Sequence, residues 1–339
     1  MSFQDYPGPV PSPGFHSQVV LRCEMNQQAE VAAKPFLKWA GGKSQLIAEI
    51  GARFPYQPQE EFTYVEPFVG GGAVLFWVLN NYPGVKKAVI NDLNSDLTGT
   101  YRAIRNTVKR LIEELHCIED EYHRLDEDHG KKRAYYNARR EDFNRRDRNQ
   151  TSQAALMIFL NKTGFNGLYR VNRNNGFNVP LGSYRKPLIC DRENLLAASK
   201  VLKKVTILNE DFEGTLPPAG TGGNTFFYFD PPYKPLSSTA NFNTYAKDGF
   251  DDAEQNRLKE FCDLLHEKKH RWALSNSDVK SADPDNNFFD DLYIDYSDGI
   301  DRVWAKRSIN SNPSKRGKLT ELLITNYAYN RPGSPLIHG

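Results

Sequence analysis

From residue 63 onward, short runs of β-branched and aromatic residues alternate with stretches whose apolar positions recur at helical spacing. That rhythm predicts an α/β fold, a mostly parallel sheet with helices on both faces, because parallel strands need crossover connections and a helix usually supplies them. The runs place strands at 63–66, 88–91, 205–208, 225–229, 271–275, 292–296 and 321–326. Between 101 and 200 the rhythm fails. Residues 102–148 read as helical and charge-dense, 153–160 as an apolar helix, and 161–184 as a loop rich in Asn, Gly and Tyr. The chain is therefore expected to carry a sheet domain over 34–100 and 201–330, with a second, largely helical domain inserted at 101–200. Residues 1–33, which include PGPVPSPG, show no period and read as a loose extension. The tail 331–339 reads the same way.

Composition narrows the class without naming a function. In 339 residues, 39% are hydrophobic and 25% charged, which excludes wholesale disorder. The longest apolar runs, 73–79 and 154–160, fall far short of the roughly 20 residues that cross a bilayer. With no charged-then-apolar leader in view, the expectation is a cytoplasmic protein with no membrane partner. Cys23, Cys117, Cys190 and Cys262 are widely spaced, with no CxxC pair and no histidine at zinc-ligand spacing. Reduced thiols and no metal follow.

The net charge of +2 hides a strong asymmetry. Residues 162–204 hold nine Lys/Arg against two acids, and 302–318 hold six against none. Residues 208–301 carry nineteen acids and eight bases. Such a distribution suits one basic face for a polyanion on an acidic body, although charge runs are often only solvated surface.

Three motifs carry chemistry. The strand at 63–66 runs into PFVGGGAVLFWVL, a glycine-rich turn entering a helix. There the backbone can approach a ligand beside an electropositive helix end. The next strand ends in Asn91-Asp92, where an acid can accept hydrogen bonds from both ribose hydroxyls. No GxGxxG spacing or P-loop is present. A nucleoside without phosphate, such as S-adenosylmethionine, fits better than NAD or ATP. Third, Asp230-Pro231-Pro232-Tyr233 follows the apolar strand 225–229. Two prolines stop a strand and leave a rigid backbone with free carbonyls. Asp230 and the Pro231 carbonyl can each accept a hydrogen from a planar exocyclic amine while Tyr233 stacks on its ring. That geometry frees the nitrogen lone pair for a methyl sulfonium.

FLKWAGGK at 36–43, EPFVGGG at 66–72, NDLN at 91–94, EDF at 210–212, DPPY at 230–233 and LSNSD at 274–278 occur in this order. Together they resemble the Dam-like, α-group (D12 class) DNA adenine-N6 methyltransferases, most of all the GATC-modifying methylases of bacterial restriction–modification systems. The likeness runs from about residue 35 to 327. It implies a class I methyltransferase sheet of seven strands with a target-recognition insertion, and methyl transfer from S-adenosyl-L-methionine to a flipped-out adenine. It implies double-stranded DNA as partner, a restriction endonuclease acting on the same site, and a monomer in the bacterial cytoplasm. Carried over by motif, Trp39, Lys43, Glu66, Phe68, Gly70, Asp92, Asp211, Phe212 and Asp230 would hold the cofactor. Lys38 would read one guanine.

The segment 161–184, NKTGFNGLYRVNRNNGFNVPLGSY, reads as a β-hairpin with an Asn-Asn-Gly turn, a ribbon able to enter the major groove. The resemblance implies that Phe165 and Asn166 fill the space of the flipped base. It further implies that Leu168 and Pro180 pack on a thymine methyl, that Arg170 meets guanine, and that Asn178 lies at the DNA. Ser183 stands where many relatives carry arginine, so its phosphate contact is expected to pass to Arg185 or Lys186. Lys315 and Arg316, in the last basic stretch, would clamp phosphate. Two other readings share parts of this pattern: an RNA or protein-glutamine methyltransferase, and a catalytically inactive DNA-binding protein.

Overall fold

The computed structural model describes residues 31–125, 128–218, 224–236, 250–305 and 319–329. The described strands are β1 (Phe62–Glu66), β2 (Val85–Ile90), β3 (Val205–Ile207), β4 (Thr225–Phe229), β5 (Arg271–Ser277), β6 (Ile300–Ala305) and β7 (Leu319–Thr325). They form one sheet in the order β3-β2-β1-β4-β5-β7-β6. β7 runs antiparallel to both of its neighbours, and the other pairs are parallel. This is the class I methyltransferase arrangement that the sequence led us to expect. Strand order reverses between β1 and β4, and in open α/β sheets ligands bind outside the carboxyl ends of the strands at such a switch point. The glycine turn leaves β1 there, and Asp230-Pro231-Pro232-Tyr233 leaves β4.

Burial explains the strands. Every residue of β4 is buried. Phe226 and Tyr228 pack into the core on one face of the sheet, and Phe227 and Phe229 into the core on the other. A parallel strand covered on both faces reads as a continuous apolar run for this reason.

The described α-helices are α1 (Ile47–Ala52), α2 (Ala73–Asn81), α3 (Ser95–His123), α4 (His129–Arg145), α5 (Gln150–Thr163), α6 (Arg192–Leu202), α7 (Asp252–Glu267) and α8 (Phe288–Leu292). Asn94 caps α3 by accepting from the amides of Asp96 and Leu97 at 3.0 and 3.1 Å. α3 bends at Thr107, whose φ is −132° and whose hydroxyl pairs with that of Thr151 at 2.8 Å. Between β2 and β3 the chain forms α3, α4, α5 and α6. Residues 154–160 of α5 are all buried, and Phe159 is ringed by Tyr122, Tyr135 and Tyr136.

Two expectations are corrected. No strand forms at 292–296: α8 ends at Leu292, and a 3-10 helix spans Ile294–Gly299. The stretch buries Phe289, Tyr293 and Tyr296, a helical spacing, and leaves Ile294 61% exposed. A strand with Leu292 and Tyr296 inward would have buried Ile294 with them. The sixth strand is Ile300–Ala305, a stretch to which the sequence reading gives no element and from which it only counts Arg302 into a basic run. The second correction concerns only the regularity of 161–184: the segment folds back antiparallel about its Asn-Asn-Gly turn, as expected, but pairs at two isolated bridges, Gly164 with Leu181 and Val171 with Phe177, and not in a continuous ladder. Asn166 and Gly167 adopt left-handed φ of 53° and 63°, which turns the chain out of any extended ribbon. Asn144 of α4 also takes the amide and carbonyl of Phe177, at 2.8 and 3.0 Å.

Candidate active site

The turn after β1 is shaped by three contacts. Gly70 and Gly72 have φ of 47° and 73°, a region open to glycine. The Gly70 amide donates to Asp92 Oδ2 at 3.1 Å, and the Tyr101 hydroxyl donates to its carbonyl at 3.1 Å. Asp92 Oδ1 accepts from the Asn94 amide at 2.9 Å. Asp92 therefore stands just past the end of β2, facing the glycine turn. Burial raises its pKa, with the Asn94 and Gly70 amides acting against that rise. Trp39 lies against the same turn, so that a Cβ at Gly71 would come within 2.8 Å of the Trp39 Cβ.

Beside it, the ends of β1 and β4 bring the carboxyls of Glu66 and Asp230 to a cation, Lys43, from the turn ahead of α1. Lys43 Nζ is 2.7 Å from Asp230 Oδ1, 4.4 Å from the centre of the Tyr233 ring, and donates to the Gly41 carbonyl at 2.7 Å. Ser275 donates to Asp230 Oδ1 at 3.2 Å. Burial pushes the Asp230 carboxyl up, while Lys43 and Ser275 pull the other way. Glu66 is buried at the end of β1 and accepts from Tyr64 at 2.8 Å; burial raises it well above the usual carboxylate range. The Tyr233 hydroxyl donates to Glu321 Oε2 on β7 at 2.8 Å. The Pro232 carbonyl accepts from the Gln255 amide at 3.4 Å, and Pro231 is buried. Ser275 belongs to the LSNSD run noted in the sequence. Nothing local to Glu321 marks it.

A third corner is aromatic. Phe68 lies 5.5 Å from Phe212 and 5.6 Å from Phe250, ring centre to ring centre. The Arg257 guanidinium stands 4.4 Å over Phe212 and holds Asp211 in a two-pronged ion pair at 3.0 and 2.8 Å. Arg257, which sequence reasoning missed, holds the Asp211 carboxyl below its ordinary value.

The segment assigned to DNA abuts this site through Lys38. The buried Asn161 side chain bonds both backbone groups of Lys38 and the Gly167 carbonyl. Lys38 Nζ lies 4.0 Å over the Tyr184 ring. Phe165 is 51% exposed, a large apolar side chain offered to solvent, and its amide donates to the Pro180 carbonyl at 2.9 Å. Asn166 and Pro180 are exposed and Leu168 is half-buried. Arg170 is exposed and donates to Asn178 Oδ1 from Nε at 2.7 Å and to the Asn178 carbonyl from Nη2 at 3.2 Å. Arg185 and Lys186 are exposed next to Ser183. Lys315 and Arg316 lie outside the described residues.

Not every base in the two clusters joins this face. Arg302 is bound to Asp278 and Asp290, Lys203 to the Arg105 carbonyl, and Lys204 to the Val85 carbonyl at 3.0 Å. Among the described residues, no group of three His, Cys, Asp or Glu is placed to hold a metal, and no helix is long and apolar enough to cross a membrane.

A family model described as D12 class N6 adenine-specific DNA methyltransferase matches residues 39–309. The chain is 45% identical over 299 residues to the Type II methyltransferase M.MjaIII of Methanocaldococcus jannaschii, covering 87% of this chain and 99% of that protein. It is 36% identical to the Type II methyltransferase M1.LlaDCHI of Lactococcus lactis subsp. cremoris, covering 89% and 98%. It is 31% identical to the DNA adenine methylase of Escherichia coli K12, covering 86% and 94%.

Proposed function

Since the chain belongs to the D12 class of N6 adenine-specific DNA methyltransferases, we propose that its methyl donor is S-adenosylmethionine and its target an adenine flipped out of duplex DNA, within GATC. The carrying observation is the cluster at the switch point of the sheet, where Lys43, Asp230 and Tyr233 meet beside the Gly70–Asp92 turn. The residues present fit the donor. A cation already lies on the Asp230 carboxylate and over the Tyr233 ring, which is the charge that a carboxylate and a π-face attract. On this reading Asp92 would offer acceptors for ribose hydroxyls, Phe68, Phe212 and Asp211 would meet the nucleobase, and Trp39, Lys43, Glu66 and Gly70 would meet the methionine end.

When bound, S-adenosylmethionine supplies an electrophilic methyl group. The chain's own part is alignment and polarisation. Asp230 and the Pro231 carbonyl accept the two hydrogens of the target amine. Tyr233, tied by its hydroxyl to Glu321, holds the base by stacking, and Pro232 keeps the backbone rigid. N6 cannot reach such a pocket from within the duplex, so the base must leave the stack.

In this reading the insertion at 101–200 is the target-recognition domain, and 34–100 with 201–330 the catalytic one. Lys38 and Arg170 read guanine, with Asn178 holding Arg170. Leu168 and Pro180 meet a thymine methyl, and Phe165 and Asn166 fill the vacated stack. Arg185, Lys186, Lys315 and Arg316 bind phosphate. The protein works as a monomer in the cytoplasm, alongside a restriction endonuclease of the same site.

The test is transfer of labelled methyl from S-adenosylmethionine to duplexes carrying GATC or a change at each of its four positions. The wild type should methylate GATC alone, and Asp230→Ala should be inactive while still binding DNA. Equal labelling of all duplexes would remove the GATC assignment. Near wild-type turnover by Asp230→Ala would remove the active site, and no transfer by the wild type would leave a DNA-binding protein without activity.

A further inference from the structure

We propose that Tyr169, although it lies inside the DNA-readout segment, is a positioning residue for the cofactor. It fixes Trp39 against the glycine turn. The inference rests on the reading of Trp39 and Gly70 as cofactor contacts.

Chain position alone groups Tyr169 with its neighbours Leu168 and Arg170, both assigned to bases. Its side chain goes elsewhere. The ring stacks on the Trp39 indole, with centres 5.6 Å apart and planes 27° from parallel. Its hydroxyl donates to Asp96 Oδ2 at 2.6 Å, and Asp96 Oδ1 takes Arg146 Nη1 at 2.5 Å. On its other side stands the buried Phe177 ring, 5.8 Å away. Arg170, one residue on, is exposed and reaches Asn178 instead.

The indole has little freedom between these groups. A Cβ at Gly70 would come within 3.0 Å of its edge. Trp39 is thus held between the backbone of the glycine turn and the Tyr169 ring. Residues 92–96 close the loop of contacts, since Asp92 binds the Gly70 amide at one end and Asp96 binds the Tyr169 hydroxyl at the other. Removing the ring opens one wall of that enclosure and frees the indole. The base-facing side chains keep their own supports, Asn178 for Arg170 and Asn161 for Lys38.

The experiment measures equilibrium binding of S-adenosylmethionine and of a GATC duplex to the full chain, as wild type, Tyr169→Phe and Tyr169→Leu. Tyr169→Leu should raise the cofactor Kd about three- to ten-fold, the worth of one aromatic pair. Tyr169→Phe, which keeps the ring and loses its Asp96 anchor, should raise it less. Both should retain wild-type DNA affinity and the wild-type preference for GATC over altered duplexes. A role in stability alone would weaken both ligands together, and a role in base readout would weaken DNA alone; either pattern overturns the proposal. So does wild-type cofactor affinity in Tyr169→Leu or, should that variant not fold, in Tyr169→Phe. Failure of the wild type itself to bind S-adenosylmethionine would instead strike the functional reading from which the proposal starts.

Discussion

Asn161 grips Lys38 by both of its backbone groups, accepting from the amide at 2.8 Å and donating to the carbonyl at 2.8 Å across 123 residues of chain. Its second amide hydrogen goes to the Gly167 carbonyl at 2.7 Å. One buried side chain therefore fastens the FLKWAGGK segment to the loop that carries Arg170. Asn161→Leu would leave three backbone groups without these partners. It should cost at least about 1–3 kcal/mol, the penalty for buried polar groups left unpaired. The urea midpoint reports it, and an unchanged midpoint would mean that water or a backbone shift replaces the clasp.

Lys43 and Asp230 make a prediction in pH. Burial raises the Asp230 carboxyl, and Lys43 is the strongest opposing influence. Asp230 is the stronger acceptor for the amine when ionised, so turnover should fall on the acid side, at a pH above the ordinary aspartate value of about 3.9. Lys43→Met removes the opposing cation and should move that acid limb to higher pH, beyond any loss in maximal rate. The kcat–pH profile of the two proteins decides. A limb that stays in place or moves to lower pH would sink the assignment of Asp230 as the titrating group.

What could be read from the chain and what could not follow one physical line. Phe226–Phe229 and Asp230-Pro231-Pro232-Tyr233 were legible because a strand buried on both faces is a continuous apolar run and prolines end it. The Gly70 turn and Asp92 were legible for the same local reason, a strand end followed by residues with special backbone or acceptor roles. β6 was not. Among the described strands it pairs only with β7, at the sheet edge, and it carries Asp301 and Arg302, each bound to a partner remote in sequence. The partnerships of Tyr233 with Glu321, 88 residues away, and of Asp211 with Arg257, 46 away, were equally hidden, because nothing at either end advertises the other. Tyr169 carried no signal of its own, because nothing in the run Leu168–Arg170 says that its ring packs on Trp39 and its hydroxyl reaches Asp96.

Asp211 supplies a stability prediction whose sign follows from its partner. Hydrogen bonding by Arg257 holds its folded pKa below the unfolded value. A depressed carboxyl stabilises the fold above the unfolded pKa and loses that contribution as pH falls through the folded one. Arg257→Gln should therefore be less stable than wild type at neutral pH. The gap should close as pH drops below about 4, where the unfolded aspartate takes up its proton. Denaturation at a series of pH values tests this. A gap that is constant with pH would mean that Arg257 acts through its packing on Phe212 and not through charge.

Arg170 and Lys186 separate specificity from affinity. Arg170 is exposed, but Asn178 occupies Nε and one hydrogen of Nη2, which fixes the plane of the guanidinium while leaving other donors on the fork unused. A side chain held in one plane is suited to reading a base edge. Lys186, exposed and on a flexible stem, is suited to a phosphate. Arg170→Ala should then cost roughly 1–3 kcal/mol of discrimination at a single base pair of GATC while changing little on a duplex already altered there. Asn178→Ala should lose part of the same discrimination by unlocking the fork. Lys186→Ala should instead weaken binding to every duplex about equally and lower the salt slope by about 1. The measurement is binding and turnover on the GATC duplex and its four altered forms at several salt concentrations. Discrimination that survives Arg170→Ala, or falls in Lys186→Ala, would show that the base is read from another part of the face.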